Sequence, residues 1–220
     1  MPLTNKQVAD LQASITGYAF PPVYFDFIAN AQINAGSMTG VETHIRGLLT
    51  SSNMQDVKHG LANVIYWGNA NAGYQMHRVM AFSNLITPLQ LQQFRVQVSG
   101  GTLPTLKDLS KLKMPQFSGI SFISKIIAFL DPKNYCVLDL LLSRLSITIH
   151  GKALHSLKTT TQIGVTKNNS LAYYSWCQEC IAISNRYYGG SYRAVDIERG
   201  FFNLIQSGNL LLAQQIYIAA

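Results

Sequence analysis

A chain of 220 residues is long enough for one large domain or two small ones with a sizeable buried core. Hydrophobic residues make up 48% of it and charged residues only 12%, a composition that excludes a disordered chain. Seventeen Lys and Arg residues against ten Asp and Glu give a net charge of +7, which favours a polyanionic partner such as nucleic acid. A basic protein without such a partner stays open on charge alone.

Helical periodicity dominates the first half of the chain. A polar helix is predicted over residues 5–18, ending before the rigid break at Phe20-Pro21-Pro22, and the apolar run after Pro22 is predicted to lead into a second helix. The spacing of apolar residues predicts further helices over 38–50, from an N-cap at Asp56 to Gly68, over 70–85, and over 88–98 after Thr87.

The second half continues the helical pattern. The predicted elements are a short helix at 105–113, a tight turn, an apolar helix at 120–130, a loop at 131–134, a buried helix from near Asp139 to about 149, a polar linker at 158–170, and helices at 171–187, 193–206 and 209–219. Strand-like alternation is scarce, so the predicted fold class is all-α.

The three cysteines, Cys136, Cys177 and Cys180, do not form a disulfide framework, because their number is odd and their spacing wide. A zinc site at Cys177 and Cys180 would need two more ligands, and none is evident, so we expect buried thiols and no metal. The sequence also lacks a signal-peptide pattern and any run of about eighteen apolar residues. We therefore expect a cytoplasmic protein without a membrane partner.

The most informative segment covers residues 112–130, where a helix ends, a hairpin containing Gly119 follows and an apolar helix opens. It resembles the helix-hairpin-helix motif of the endonuclease III superfamily of DNA glycosylases. The hairpin of that family reads approximately Leu-Pro-Gly-hydrophobic-Gly-x-Lys, and a catalytic Asp and an Arg follow at fixed spacing. With Gly119 as the second glycine, Ser121 takes the Lys position, Asp139 the Asp position and Arg144 the Arg position.

Two positions depart from the family pattern. Phe117 replaces the first hairpin glycine, and Ser121 replaces the lysine that forms the Schiff base in lyases of the family. The chain resembles a branch of bacterial proteins similar to oxoguanine glycosylases at Phe122, at Lys125, in the loop at 131–135 and in the segment at 193–199.

The resemblance implies two helical lobes with a DNA-binding cleft. Residues 36–135 would form the lobe that carries the motif, and residues 1–35 with 136–220 the other. It implies a monomeric hydrolase that acts on double-stranded DNA without a metal or small-molecule cofactor. A hairpin of this kind can hold a monovalent cation through its backbone carbonyls.

The hairpin is the predicted DNA-binding element. A turn that opens a helix presents unpaired backbone N–H groups, which bind anions such as a phosphate, and a glycine lets the backbone approach closely. Three lysines that precede it, Lys107, Lys111 and Lys113, would add phosphate contacts, although a solvated helix face is the alternative interpretation. The predicted residues are Phe117, Ser118, Gly119, Ile120 and Ser121, with Lys111 and Lys113.

Asp139 is the predicted catalytic carboxylate. Cleavage of an N-glycosidic bond builds positive charge on the sugar, which a nearby carboxylate stabilises, unless it activates the attacking water instead. Asp is also a common helix N-cap, and the two roles are compatible.

Lys125 is the second candidate for a catalytic role. It lies one helical turn after Ser121, on the same face, so its amine could attack C1′ and give weak lyase activity. The alternative is a structural or electrostatic role, paired with a carboxylate such as Asp139.

For the pocket that holds the excised base, the candidates are Tyr66, Trp67 and His77. Aromatic residues at this spacing are also typical of a helix core, and His77 of a surface. The predicted function is a DNA glycosylase that removes a damaged or modified base, in base-excision repair or in anti-phage defence. The alternatives are a DNA-binding protein that lacks catalysis and a helical protein-interaction module.

Overall fold

The computed structural model describes residues 2–146 and 151–220, and these are mostly helical. The α-helices are α1 (Asn5–Thr16), α2 (Met38–Leu49), α3 (Met54–Gly68), α4 (Gln75–Leu85), α5 (Pro88–Ser99), α6 (Leu106–Lys111), α7 (Ile120–Leu130), α8 (Lys167–Tyr188), α9 (Ala194–Gln206) and α10 (Leu210–Ala219). Strands β1 (Val23–Asp26) and β2 (Ala31–Asn34) form an antiparallel hairpin. Two short 3-10 helices cover Leu142–Leu145 and Ala153–Ser156. No helix of the described ranges has the length and apolar character needed to cross a bilayer.

The chain divides into two compact units. The first unit joins the chain up to Ala19 to the chain from Asp131 onward, and the second covers Phe20–Leu130.

In the first unit, α1 packs tightly against α9 at Gly200. A Cβ atom at this position would lie 2.6 Å from Cγ1 of Ile15 and 2.9 Å from Cδ1 of Leu11, so only glycine permits the approach. The Ser14 hydroxyl donates to the carbonyl of Gly200 at 2.8 Å and joins the two helices. The core beside them is aromatic, with Trp176 edge-on to Tyr217 at 5.4 Å between ring centroids.

In the second unit, α3 is the central helix and is continuously buried from Gly60 to Trp67. Asn63 on α3 fixes the β-hairpin: its Oδ1 accepts from the Phe25 N–H at 2.7 Å, and its Nδ2 donates to the Phe25 carbonyl at 3.0 Å. The hairpin therefore has a rigid position on its own unit.

The prediction of a mainly helical fold is confirmed, and the helices at α2, α5, α7, α9 and α10 lie close to the predicted bounds. The predicted cap at Thr87 is also confirmed, because its side chain accepts from the Gln90 N–H at 3.2 Å.

Several local predictions are wrong. The segment after Pro22 forms β1 and β2 rather than a helix. Asn53, not Asp56, caps α3, since Asn53 Oδ1 accepts from the Gln55 N–H at 2.8 Å. α4 begins at Gln75, five residues later than predicted, and α8 begins at Lys167, inside the predicted linker.

The predicted helix from Asp139 is replaced by a turn and the 3-10 helix Leu142–Leu145. Its predicted end near residue 149 lies outside the described residues.

Candidate active site

The predicted hairpin is a turn between α6 and α7 in the second unit. Two of its residues have positive φ without being glycine: Lys113 at 49° and Gln116 at 69°. The Phe117 N–H donates to the Met114 carbonyl at 3.1 Å, and the Ile123 N–H donates to the Gly119 carbonyl at 3.3 Å, which starts α7. By helix geometry, the first N–H groups of α7 have no acceptor within their own helix.

The hairpin residues differ in solvent exposure. Phe117 and Ile120 are buried, and the Phe117 ring lies edge-on to the rings of Phe82 and Phe122. Any contact of these two residues with a ligand must therefore go through the backbone. Ser118 is exposed, and Ser121 is half-buried.

The lysines before the hairpin are exposed. Lys111 forms a salt bridge with Asp108 at 3.5 Å, across one turn of α6. The side chains of Lys107 and Lys113 also lie at the surface. Lys107 and Lys111 lie on α6 and Lys113 at the start of the turn, and Asp108 is an acid of the same helix.

The carbonyls of the turn bear on the monovalent cation that the family resemblance implies. Four of them already accept hydrogen bonds: those of Leu112 and Lys113 from Gln90 Nε2 at 3.1 and 3.0 Å, that of Met114 from Phe117, and that of Gly119 from Ile123. Each of these oxygens keeps a second lone pair beside its hydrogen bond, so the monovalent cation stays a prediction.

Lys125 lies on α7 with 7% of its surface exposed. Its Nζ donates to the Ser121 carbonyl at 3.0 Å and lies 5.0 Å from the centre of the Phe122 ring. The predicted placement on the same face as Ser121 is confirmed. A cation over an aromatic face and beside a carbonyl oxygen is a favourable arrangement for an ammonium group.

Trp67 ends α3 together with Gly68, and its ring lies edge-on to Phe20 at 5.0 Å and Phe129 at 5.1 Å. Its Nε1 is buried and has no hydrogen-bond partner among the described residues. An unpaired buried donor is costly, so this group calls for an explanation such as an ordered water, an ion or a functional role.

The other two candidates for the base pocket have ordinary structural surroundings. Tyr66 is buried and its hydroxyl donates to Gln32 Oε1 at 2.6 Å; burial raises its pKa. His77 lies exposed on α4.

Asp139 belongs to the first unit, in the chain between α7 and the 3-10 helix Leu142–Leu145. Its Oδ1 accepts from the N–H groups of Leu141 and Leu142, both at 3.0 Å. The carboxylate therefore caps a turn, and Oδ2 takes part in neither bond. The residue is half-buried, whereas Arg144, five residues later, is exposed.

The backbone just before Asp139 is held from two sides. The Val137 N–H donates to Glu198 Oε2 at 3.4 Å, and the Val137 carbonyl accepts from Trp176 Nε1 at 3.2 Å. Burial, together with the charge on Glu198, raises the pKa of Tyr18, which lies beneath the guanidinium of Arg199 at 5.4 Å. Glu198 and Arg199 are buried charges on α9, and sequence reasoning missed Glu198 as a support of the Asp139 segment.

The three cysteines are buried, as predicted, but they also meet. Cys136 Sγ lies 3.6 Å from Cys177 Sγ and 3.9 Å from Cys180 Sγ. Burial raises the pKa of all three thiols, which keeps them protonated and unreactive. No cluster suited to a metal ion occurs within residues 2–146 and 151–220.

Comparison with known proteins identifies no relative: no family model, no curated protein and no solved structure matches the chain.

Proposed function

We propose that the chain is a DNA N-glycosylase, which hydrolyses the bond between a damaged or modified base and its sugar in double-stranded DNA. The observation that carries the proposal is the state of Asp139, a half-buried carboxylate whose Oδ1 is fixed by two backbone N–H groups. Its place in sequence relative to the Gly119 turn is that of the catalytic Asp in the family it resembles.

The fixed orientation of Asp139 suits this chemistry. As the base leaves, the sugar acquires the character of an oxocarbenium ion, and a carboxylate that is already oriented stabilises this charge without reorganisation. The same carboxylate can accept a proton from the attacking water. Because Asp139 is only half-buried, a substrate can reach it.

The turn at 112–119 supports the choice of DNA as the partner. It starts α7 with backbone N–H groups suited to a phosphate, and the exposed Lys107, Lys111 and Lys113 add positive charge around it. Contacts of these kinds position a duplex without reading its sequence. Selectivity then depends on the base that is taken out of the stack.

The experiment is a screen of the pure protein against duplexes that each carry one altered base. The panel contains oxidised purines, oxidised pyrimidines, alkylated purines, uracil and the enlarged bases found in modified phage DNA. Base release is detected as an abasic site that alkali converts to a strand break. An oxidised or alkylated substrate indicates repair, and a phage-type base indicates defence.

Asp139→Asn is the decisive variant. The amide oxygen of Asn keeps the cap on Leu141 and Leu142 but removes the charge, so we expect base release to fall by about two orders of magnitude or more with the fold intact. Asp131→Asn is the matched control, because Asp131 Oδ1 likewise accepts a backbone N–H, that of Asn134 at 3.2 Å, in the same connecting segment.

Three outcomes judge the proposal. Base release that is lost in Asp139→Asn but kept in Asp131→Asn supports it. DNA binding without base release from any duplex indicates the DNA-binding protein without catalysis. Weak binding that does not change with salt concentration indicates the protein-interaction module.

A further inference from the structure

The side-chain amide of Gln90 connects the start of α5 with the start of the turn between α6 and α7, both in the second unit. Its Oε1 accepts from the Thr87 N–H at 3.0 Å, which completes the capping box that starts α5. Its Nε2 donates to the carbonyls of Leu112 and Lys113 at 3.1 and 3.0 Å, where the turn between α6 and α7 begins. We call these last two bonds the Gln90 clamp.

The capping role of Gln90 does not require the Gln90 clamp, because the first unit has a matching capping box without one among its described residues. At α1, Thr4 and Gln7 form the same capping box, in which Gln7 Oε1 accepts from the Thr4 N–H at 3.0 Å. The Gln7 N–H donates to the Thr4 hydroxyl at 3.2 Å, as the Gln90 N–H does to Thr87. A capping role therefore explains the oxygen of Gln90 but not the two bonds of its nitrogen.

The clamp acts where the backbone needs support. Lys113 has a φ of 49°, a left-handed conformation that costs a residue other than glycine free energy and persists only when its surroundings hold it. Gln90 binds the carbonyl of this residue and that of the residue before it. The turn then continues through Met114 and Phe117 to the start of α7.

We infer that Gln90 is the positioning residue of the DNA-binding turn: its carboxamide holds the carbonyls of Leu112 and Lys113 so that the backbone at 117–121 is set for a phosphate. The inference rests on the proposed function, because it assumes that this turn binds DNA. The clamp gives the turn, from within the chain, an electropositive partner for its carbonyl oxygens. Gln90 therefore affects the affinity for DNA and not the rate of base release.

The test compares Gln90→Met with Gln7→Met. Both changes are neutral, keep a long unbranched side chain suited to a helix and remove the side-chain half of one capping box, while the Thr hydroxyl still accepts the backbone N–H. Only Gln90→Met releases the carbonyls of Leu112 and Lys113. The third variant, Gln90→Glu, keeps an oxygen for Thr87 and loses the donor. Its hydrogen exchange in the free protein separates the clamp from the cap, whereas its DNA affinity is not compared, because the added negative charge itself opposes DNA binding.

Affinity is measured by fluorescence anisotropy on a duplex that carries a stable abasic-site analogue. We expect Kd to rise about tenfold in Gln90→Met, equivalent to about 1.4 kcal/mol, and to stay within about twofold in Gln7→Met. The rate of base release at saturating DNA is expected to stay within about twofold in all three, since the clamp does not touch the reacting atoms. Hydrogen exchange of the Phe117 amide in the free protein is expected to accelerate only in the Gln90 variants.

The outcomes separate this inference from the proposed function. If wild-type protein binds DNA and Gln90→Met behaves as Gln7→Met does in both affinity and exchange, the positioning role is overturned. A fall in the saturated rate with unchanged Kd also overturns it. If wild-type protein binds no duplex, the proposed function is overturned. The role of Gln90 in DNA binding is then overturned as well, even where the exchange rates show that the clamp holds the turn.

Discussion

Gly68 at the end of α3 lies directly against the side chain of Lys125 on α7. A Cβ atom at position 68 would come within 3.1 Å of both Cδ and Cε of Lys125, and within 2.9 Å of Cε1 of Phe122. The absence of a side chain at Gly68 therefore permits the packing of Lys125 beside the Phe122 ring. This contact lies beside Trp67, whose indole N–H is buried and unpaired among the described residues.

Gly68→Ala tests how closely this contact is packed. The added methyl group must displace the Phe122 ring and the Lys125 stem, which we expect to destabilise the fold by about 1–3 kcal/mol. Gly47→Ala is the control, since Gly47 also lies in a helix, α2, and a Cβ atom there meets nothing within 4 Å. There the change is expected to stabilise the helix by about 0.5–1 kcal/mol. Thermal unfolding followed by circular dichroism measures both, and equal shifts in the same direction would contradict the packing argument.

The role of Lys125 is tested by borohydride trapping, which captures an imine between an amine and the sugar of DNA. The ammonium donates to the Ser121 carbonyl and lies over the Phe122 ring, and both contacts favour a charged group that is not nucleophilic. We therefore expect wild-type protein to trap no more DNA than Lys125→Ala does, while wild-type protein still releases the base.

Lys113→Ala is the control for trapping, because Lys113 is exposed and lies outside α7. A covalent complex that forms with wild-type and Lys113→Ala protein but disappears in Lys125→Ala would instead make Lys125 the nucleophile of a lyase.

The two tryptophans allow a matched comparison of a paired and an unpaired indole. Trp176 Nε1 donates to the Val137 carbonyl at 3.2 Å, whereas Trp67 Nε1 has no such bond in the described part of the chain. Replacement by Phe removes a similar volume from each buried site. Only Trp176→Phe leaves a buried carbonyl unpaired, so we expect it to lower the free energy of unfolding by about 1–3 kcal/mol more than Trp67→Phe does.

Urea unfolding of the two variants measures this difference. An equal loss of stability would mean that the Trp176 bond contributes little to holding the segment before Asp139.

Local sequence signals were sufficient for many of the helices. Thr87 followed by Pro88 marks the start of α5, because a hydroxyl cap and a first-turn proline are both local features. The apolar spacing within α7 likewise shows a buried helix, and its bounds match the prediction. In these segments the structure is set by residues within one or two turns of one another.

The predictions that are wrong involve partners distant in sequence. Strand β1 depends on Asn63, 38 residues away, and has only four residues, too few for alternation to identify it. At Asp139, the leucines that follow suggested a helix, but the carboxylate caps a turn instead. The amide of Gln90 shows the same limit: its cap on Thr87 is readable three residues away, while its bond to Lys113 spans 23 residues.

The two histidines beside the β-hairpin predict a pH dependence of stability. His44 stacks on Tyr24 at 3.7 Å, and His59 stacks on Phe27 at 4.7 Å. Burial lowers the pKa of His44 and of His59 below the ordinary value of 6.5. The charge of Asp26 at His44, and the charges of Asp56 and then Asp26 at His59, oppose this lowering only in part. Since the folded state resists protonation of both rings, the unfolded chain binds more protons below about pH 6.5, and stability falls as the pH falls through that value. The protonation of Asp26 affects stability only at a lower pH than that of the histidines, because backbone N–H groups of Ala29 and Ile28 hold its pKa below 3.8.

The measurement is the urea midpoint at pH 7.5 and at pH 5.5. We expect the midpoint of wild-type protein to be lower at pH 5.5, and this difference to shrink in the double variant His44→Phe/His59→Phe, which keeps two stacked rings that do not titrate. His77→Gln, at an exposed position on α4, is expected to leave the difference unchanged. Because both rings contribute in the same direction, each single variant should remove part of the difference. A double variant as sensitive to acid as wild-type protein would place the source of the pH dependence elsewhere in the chain.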